Sequence, residues 1–244
     1  MTYCVALCLK DGLVMLADTR TNAGVDNIAT FSKMHLYEIP DERFIALMTS
    51  GNLAVSQAIV NLLHEGINSG ERLENLYTVS SMFRAAQLVG DAVRRVYVSD
   101  GPTLEAQNLK FEVSLLLGGQ IKGRGMRLFQ IYAAGNFIEA TPDTPFLQIG
   151  ETKYGEPILD RALAYDTDPR DGVKLVLVSM DSTLRSNLTV GLPVDLLVYR
   201  RDELRPAVKR RIGDDDPYFR MIRDTWSNAL RDAYRAIPRA EWLG

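Results

Sequence analysis

Apolar and polar positions follow two periods along the chain, and the switches between them divide it into elements. Thr2 to Lys10 and Leu13 to Asp18 are apolar runs rich in Val, Leu and Cys, joined by Asp11-Gly12, a hairpin turn signal. Both runs are almost continuously apolar, so both of their faces are expected to be covered. The polar stretch 21–31, which contains Gly24, predicts a loop. Lys33 to Ile39 and Phe44 to Thr49 predict a second hairpin across Pro40-Asp41-Glu42-Arg43. After Ser50-Gly51-Asn52 the period changes. Val55, Ala58, Ile59, Leu62 and Leu63 recur at helical spacing, with Asn52 placed to cap the helix and Gly70 to stop it. A second helix is expected from about Thr78, through Met82, Ala85, Val89, Val93 and Val96, ending by the turn cluster Asp100-Gly101-Pro102.

The second half repeats the alternation. Phe111 to Leu117 and Met126 to Ala134 read as strands around a glycine-rich turn from Gly118 to Gly125, and Phe137 to Ala140 and Phe146 to Ile149 as shorter strands. Glu151 to Ala164 predicts a helix that Pro157 weakens unless it starts late. Asp168-Pro169 supplies a cap and a first-turn proline for a helix carrying Val173, Val176, Leu177 and Met180. Val194 to Tyr199 reads as a strand. Asp214-Asp215-Asp216-Pro217 opens a last helix, where acidic residues suit the positive end of the dipole. Its stripe is Tyr218, Phe219, Ile222, Trp226, Leu230 and Tyr234, and Pro238 ends it. No linker or repeat interrupts this order, so residues 1–244 read as one domain with a helical extension from about 214. Segregated antiparallel strands and helices place the chain in the α+β class. Two sheets back to back, each covered outside by helices, would explain why the first strands are apolar on both faces.

Composition narrows the partners more than the fold. A chain of 244 residues is long enough for a two-layer core, and a net charge of −3 gives no electrostatic case for nucleic acid or an anionic membrane. No apolar run approaches a membrane span, and Lys10-Asp11 interrupt any signal-peptide layout, so a cytoplasmic location is expected. Cys4 and Cys8 would share one face of a strand, too far apart to bridge, and read as core thiols. His35 and His64, the only histidines, show no partner motif; no metal site and no cofactor is expected. Gly150 to Gly155 lacks the Lys-Ser/Thr of a phosphate loop. Lys209-Arg210-Arg211 reads as surface charge or an intersubunit contact, balanced by Asp214 to Asp216.

The candidate chemistry lies at the start. Thr2 directly follows Met1. A threonine freed as first residue carries nucleophile and base together, because its own α-amine can take the hydroxyl proton. That amine has an ordinary pKa of about 7.7–8.0, within reach of a general base at neutral pH.

Thr2, Asp18-Thr19-Arg20, Lys33 and the Ser50-Gly51 turn before a helix resemble the N-terminal nucleophile hydrolases of the proteasome β-subunit type. The opening through Thr21-Asn22-Ala23-Gly24-Val25-Asp26, and Met180-Asp181-Ser182-Thr183, most resemble the bacterial Anbu group. The resemblance implies a four-layer αββα sandwich of two antiparallel sheets. It implies Thr2 as nucleophile after Met1 removal, Lys33 beside its hydroxyl, Asp18 holding Lys33, and the Gly51 amide as oxyanion donor. It would place Thr21, His35 and Leu47 near the entering side chain. The family carries a serine after a glycine where this chain has Gly150-Glu151, and an Asp and a Ser further on, for which Ser186 and Thr189, with Asp181 as rival, are the matching candidates. The implied function is threonine-type hydrolysis of peptide or protein substrates within a homo-oligomeric ring or open spiral. A non-peptide amidohydrolase and a catalytically weak scaffold are the alternatives. HslV-type relatives work with an ATPase unfoldase; no docking motif in this chain indicates one.

Overall fold

A computed structural model describes residues 2–22, 28–69 and 72–243. In chain order the elements are β1 (Tyr3–Leu9), β2 (Gly12–Asp18), β3 (Arg20–Asn22), β4 (Ile28–Thr30), β5 (Met34–Ile39), β6 (Arg43–Gly51) and α1 (Leu53–Glu65). There follow β7 (Ile67–Ser69), β8 (Arg72–Glu74), α2 (Met82–Ala106), β9 (Val113–Ile121), β10 (Arg127–Ile131), β11 (Phe137–Glu139) and β12 (Phe146–Gly150). The chain continues through α3 (Glu156–Ala162), α4 (Pro169–Ser186), β13 (Val194–Arg200), β14 (Pro206–Ile212) and α5 (Pro217–Ala236). One five-stranded sheet has the order β12-β1-β2-β13-β14 and the other β11-β10-β9-β6-β5, with antiparallel pairing throughout.

The period-two alternation of each strand feeds separate apolar layers. Tyr3, Val5, Leu7, Val14 and Leu16 point outward against Leu159, Val176, Leu177, Phe219 and Ile222 of α3, α4 and α5. Cys4, Ala6, Leu13, Met15 and Ala17 point inward, where they meet Phe44, Ala46, Met48 and Leu116 of the other sheet. That sheet in turn sends Ile45, Leu47, Leu115, Leu117 and Phe129 outward onto α1 and α2. The result is the expected helix–sheet–sheet–helix sandwich. Cys4 and Cys8 are free thiols, as anticipated; burial pushes the Cys8 thiol up to about 11.

Several boundaries differ from the expectation, each for a local reason. The stretch 21–31 is no plain loop: β3 and β4 pair, Arg20 opposite Thr30 and Thr21 opposite Ala29. The predicted Gly24 turn and the Gly70 stop lie outside the described residues; α1 ends at Gly66, whose φ is +98°. Helix α2 runs through Asp100-Gly101-Pro102. A long buried stripe outweighs the turn signal there, and the Tyr97 ring packs over Gly101, where any Cβ would fall 2.6 Å from it. Gly118 and Gly119 belong to β9, and at Gly119 a Cβ would fall 2.3 Å from the Phe44 carbonyl oxygen of β6. Helix α3 starts only at Glu156, so Pro157 sits in its first turn and residues 151–155 stay outside it. The strand β14 carries no alternating signal: it is an edge strand opened by Pro206 and exposed from Ala207 through Lys209-Arg210-Arg211. Arg211 lies opposite Asp195 of β13 and binds it at 2.7 Å. The caps read correctly. Asn52, Asp168 and Asp216 each accept backbone N–H bonds from the first turn of α1, α4 and α5.

Candidate active site

The sandwich brings the end of β6, the ends of β1 and β12 and the entry to β5 to one edge. There they line a cleft of about 700 Å³ that contains Thr2, Thr21, Lys33, Ser50, Gly51 and Gly150, with Asn108 to Glu112 before β9 forming its far wall. Thr2 is buried (6% exposed) at the head of β1. Asp18 closes β2 and is fully buried. Its Oδ1 accepts the Tyr3 amide at 3.0 Å and the Lys33 ammonium at 2.6 Å. Lys33 also donates to the Arg20 carbonyl at 2.7 Å. An ammonium has three donors; these two bonds leave one Lys33 N–H without a partner among the described residues, in a cleft that Thr2 also lines.

The electrostatics follow from burial. Loss of water pushes the Asp18 carboxyl above its ordinary value, while the Lys33 ammonium and the Tyr3 and Gly191 amides hold it down. Lys33 therefore stands as a buried cation with one carboxylate and one carbonyl for partners.

Two glycines shape the walls. Gly51 has φ +110°, and a Cβ there would fall 2.2 Å from the Glu112 carbonyl oxygen. It immediately precedes Asn52, the cap of α1, so its amide lies where a helix N-terminus favours an anion. Gly150 has φ +86°, and a Cβ would fall 2.0 Å from the Thr2 carbonyl oxygen. That close approach lets the Glu151 amide donate to the Thr2 carbonyl at 2.7 Å.

The remaining expected residues divide into two groups. Glu151 is buried, and Asn187 Nδ2 donates to its Oε2 at 3.0 Å while the Lys153 amide donates to its Oε1 at 3.1 Å. Asn187 Oδ1 in turn accepts the Thr189 amide at 2.9 Å and the Thr189 hydroxyl at 2.6 Å. Glu151 and Thr189 thus meet through Asn187, which sequence reasoning missed; its only signal was its place just past the end of α4. Asp181 stands elsewhere: it is buried and binds Arg223 of α5 at 2.8 Å and Arg185 at 3.1 Å, tying α4 to α5. Ser186 is exposed at the last residue of α4. Thr21 lines the cleft, and its hydroxyl is buried without a hydrogen-bond partner among the described residues. His35 and Leu47 face each other across β5 and β6, and Leu47 packs in the core under α1 and α2 rather than in the cleft wall. Burial, with His64 nearby, holds the His35 imidazole below its ordinary value. Arg20 turns to the 187–191 segment, donating to the Leu188 carbonyl at 3.0 Å.

Fold and cleft together define a proteasome-type N-terminal nucleophile hydrolase fold, and comparison with known proteins agrees. The model of the proteasome subunit family matches residues 2–198. Solved structures of Anbu are similar over nearly the whole chain. A Gly-1 mutant from Hyphomicrobium sp. strain MC1 is 50% identical with a TM-score of 0.92, covering 99% of this chain and 100% of that one. Anbu from Yersinia bercovieri, described as an ancestral beta-subunit, is 50% identical with a TM-score of 0.91 over the same shares. The helical assembly of the Anbu complex from Pseudomonas aeruginosa is 48% identical, TM-score 0.91, covering 98% of each chain. A proteasome subunit beta from Methanococcus aeolicus is 22% identical over 206 residues, 84% of this chain and 86% of that protein. The chain belongs to the proteasome subunit family, within its Anbu branch.

Proposed function

We propose that this chain is a threonine-type peptidase subunit working in a homo-oligomeric assembly in the cytoplasm, with Thr2 as nucleophile once Met1 is removed. The observation that carries the reading is the buried Lys33–Asp18 couple, bonded to the residue after Thr2 and facing the same cleft. The Thr2 α-amine takes the hydroxyl proton as Oγ1 attacks the scissile carbonyl carbon. The Gly51 amide receives the oxyanion; one fixed donor of this kind is worth about 3–4 kcal/mol of barrier. Collapse breaks the C–N bond, and the α-ammonium returns its proton to the leaving amine. Water, deprotonated by the same amine, then cleaves the Thr2 ester. Lys33, through its free N–H, stabilises the developing alkoxide. Asn108, Lys110 and Ser50 offer polar groups to an extended peptide. The helical assembly of the Pseudomonas aeruginosa relative supports self-association.

Thr2→Ala against wild type is the test, read by covalent labelling with an electrophilic peptide probe and by intact mass. Loss of labelling at Thr2 in the variant, in protein that lacks Met1, is expected; equal behaviour of the two across diverse acyl substrates refutes the reading. One observation favours a second reading, a non-peptide amidohydrolase: a buried carboxylate, Glu151, directly follows Gly150 of the cleft wall, where the family carries a serine. Thr2 labelling without peptide turnover would select it.

A further inference from the structure

Glu151 is a buried carboxylate that meets neutral donors only: Asn187 Nδ2, the Lys153 amide and, among the described residues, no cation. Its position in the fold bears on the first residue of β1. Tyr3 pairs with Gly150, and the Glu151 amide donates to the Thr2 carbonyl, so Thr2 and Glu151 are the next cross-strand pair. The 2.7 Å bond between the Glu151 amide and the Thr2 carbonyl makes the two residues immediate neighbours across the end of the ladder, and both are buried. A buried charge left unpaired is costly, and a mature Thr2 would bring an ammonium to this spot.

We propose that Glu151 is the counter-ion of the Thr2 α-ammonium, held in place by Asn187, and that it sets the pH at which this amine becomes a base. The inference rests on the nucleophile reading above and deepens it. The charged groups around this end of β1 come from every neighbouring element: Asp18 from β2, Arg20 from β3, Lys33 ahead of β5, Glu151 after β12, and Lys110 and Glu112 from the segment before β9 that lines the same cleft. Lys33 disfavours the ammonium and Glu151 favours it; Asp18 is already paired with Lys33, whereas Glu151 meets amide donors only among the described residues. Glu151 and Asn187 are positioning residues: they touch neither substrate nor reacting bond but hold the protonation state of the base.

The test uses the full chain released from a cleavable N-terminal fusion, so that Thr2 is its first residue. The α-amine is titrated directly, by the pH dependence of its competitive labelling with an acylating reagent read by mass spectrometry. In parallel, the rate of Thr2 acylation by an electrophilic peptide is followed against pH. Glu151→Gln keeps the shape and a hydrogen-bonding terminus. It is expected to lower the amine's midpoint by about one pH unit and to move the acid limb of acylation down with it. Asn187→Ala, which frees the carboxylate, is expected to shift it in the same direction by less. An unchanged midpoint in a folded Glu151→Gln chain overturns the proposal. Because the amine titration needs no turnover, it decides the matter even if wild type fails to acylate, a result that would sink the nucleophile reading alone.

Discussion

Two buried carboxylates flank the head of β1, and they are handled in opposite ways. Asp18, fully buried, has a cation at 2.6 Å and an amide at 3.0 Å on the same oxygen. Glu151, 7% exposed, has amide donors only among the described residues. The first is a closed ion pair whose spare donor faces the cleft; the second is held by amide donors, with no cation beside it among the described residues. The lysine has its counter-ion in place; Glu151 has none among the described residues.

The sharpest way to break this contrast is to remove the cation. Lys33→Ala strands Asp18 in the interior, which should cost about 3–5 kcal/mol of stability at neutral pH, measured by urea unfolding. Acylation of Thr2 should fall by roughly 10²–10⁴-fold. Removing the neutral partner should cost less. Asn187→Ala takes one donor from Glu151 and the acceptor from Thr189, worth about 1–3 kcal/mol by the same measurement. Equal losses for the two substitutions would erase the distinction between the carboxylates.

The smallest effect is a slope. The Asp18 carboxyl is raised in the folded chain by burial, so between the ordinary carboxylate value and the raised one the folded state binds more protons than the unfolded. Its contribution to stability is full below the ordinary value and is lost as pH rises through the raised one. Asp18→Asn should flatten that descent, by at most about 1.4 kcal/mol per pH unit. A slope identical in the variant would mean that Lys33 outweighs burial.

The clustering of Asp18, Lys33 and Gly51 around the head of β1 was legible because these residues lie in short, patterned stretches. Asp18 closes an apolar strand, Lys33 directly precedes another, and Gly51 precedes a cap. The opposite end was not. Asp181 and Ser186 looked as suitable as anything nearby, yet Asp181 binds two arginines between α4 and α5 and Ser186 faces outward. Asn187, one residue on, reaches Glu151 because α4 ends there and the backbone at position 187 turns to an extended conformation. A helix end shifts by a residue on small differences in packing, and each shift turns a side chain by about 100°.

What the order of residues determined by itself was local: strand runs, capped helices, the α+β class, and an apolar first hairpin that had to lie between two layers. Apolar periodicity carries this because burial of one face or two is written directly into side-chain type. Only the tertiary structure decided the rest. It made a strand of the charged stretch 206–212, whose signal is pairing with β13 rather than burial, and carried α2 through Gly101-Pro102 on the strength of its buried stripe. It also brought Glu151 and Asn187, 36 residues apart, together beside Thr2. Contacts of that range depend on how two sheets stack and where a helix stops, free energies summed over the whole core rather than read at any one position.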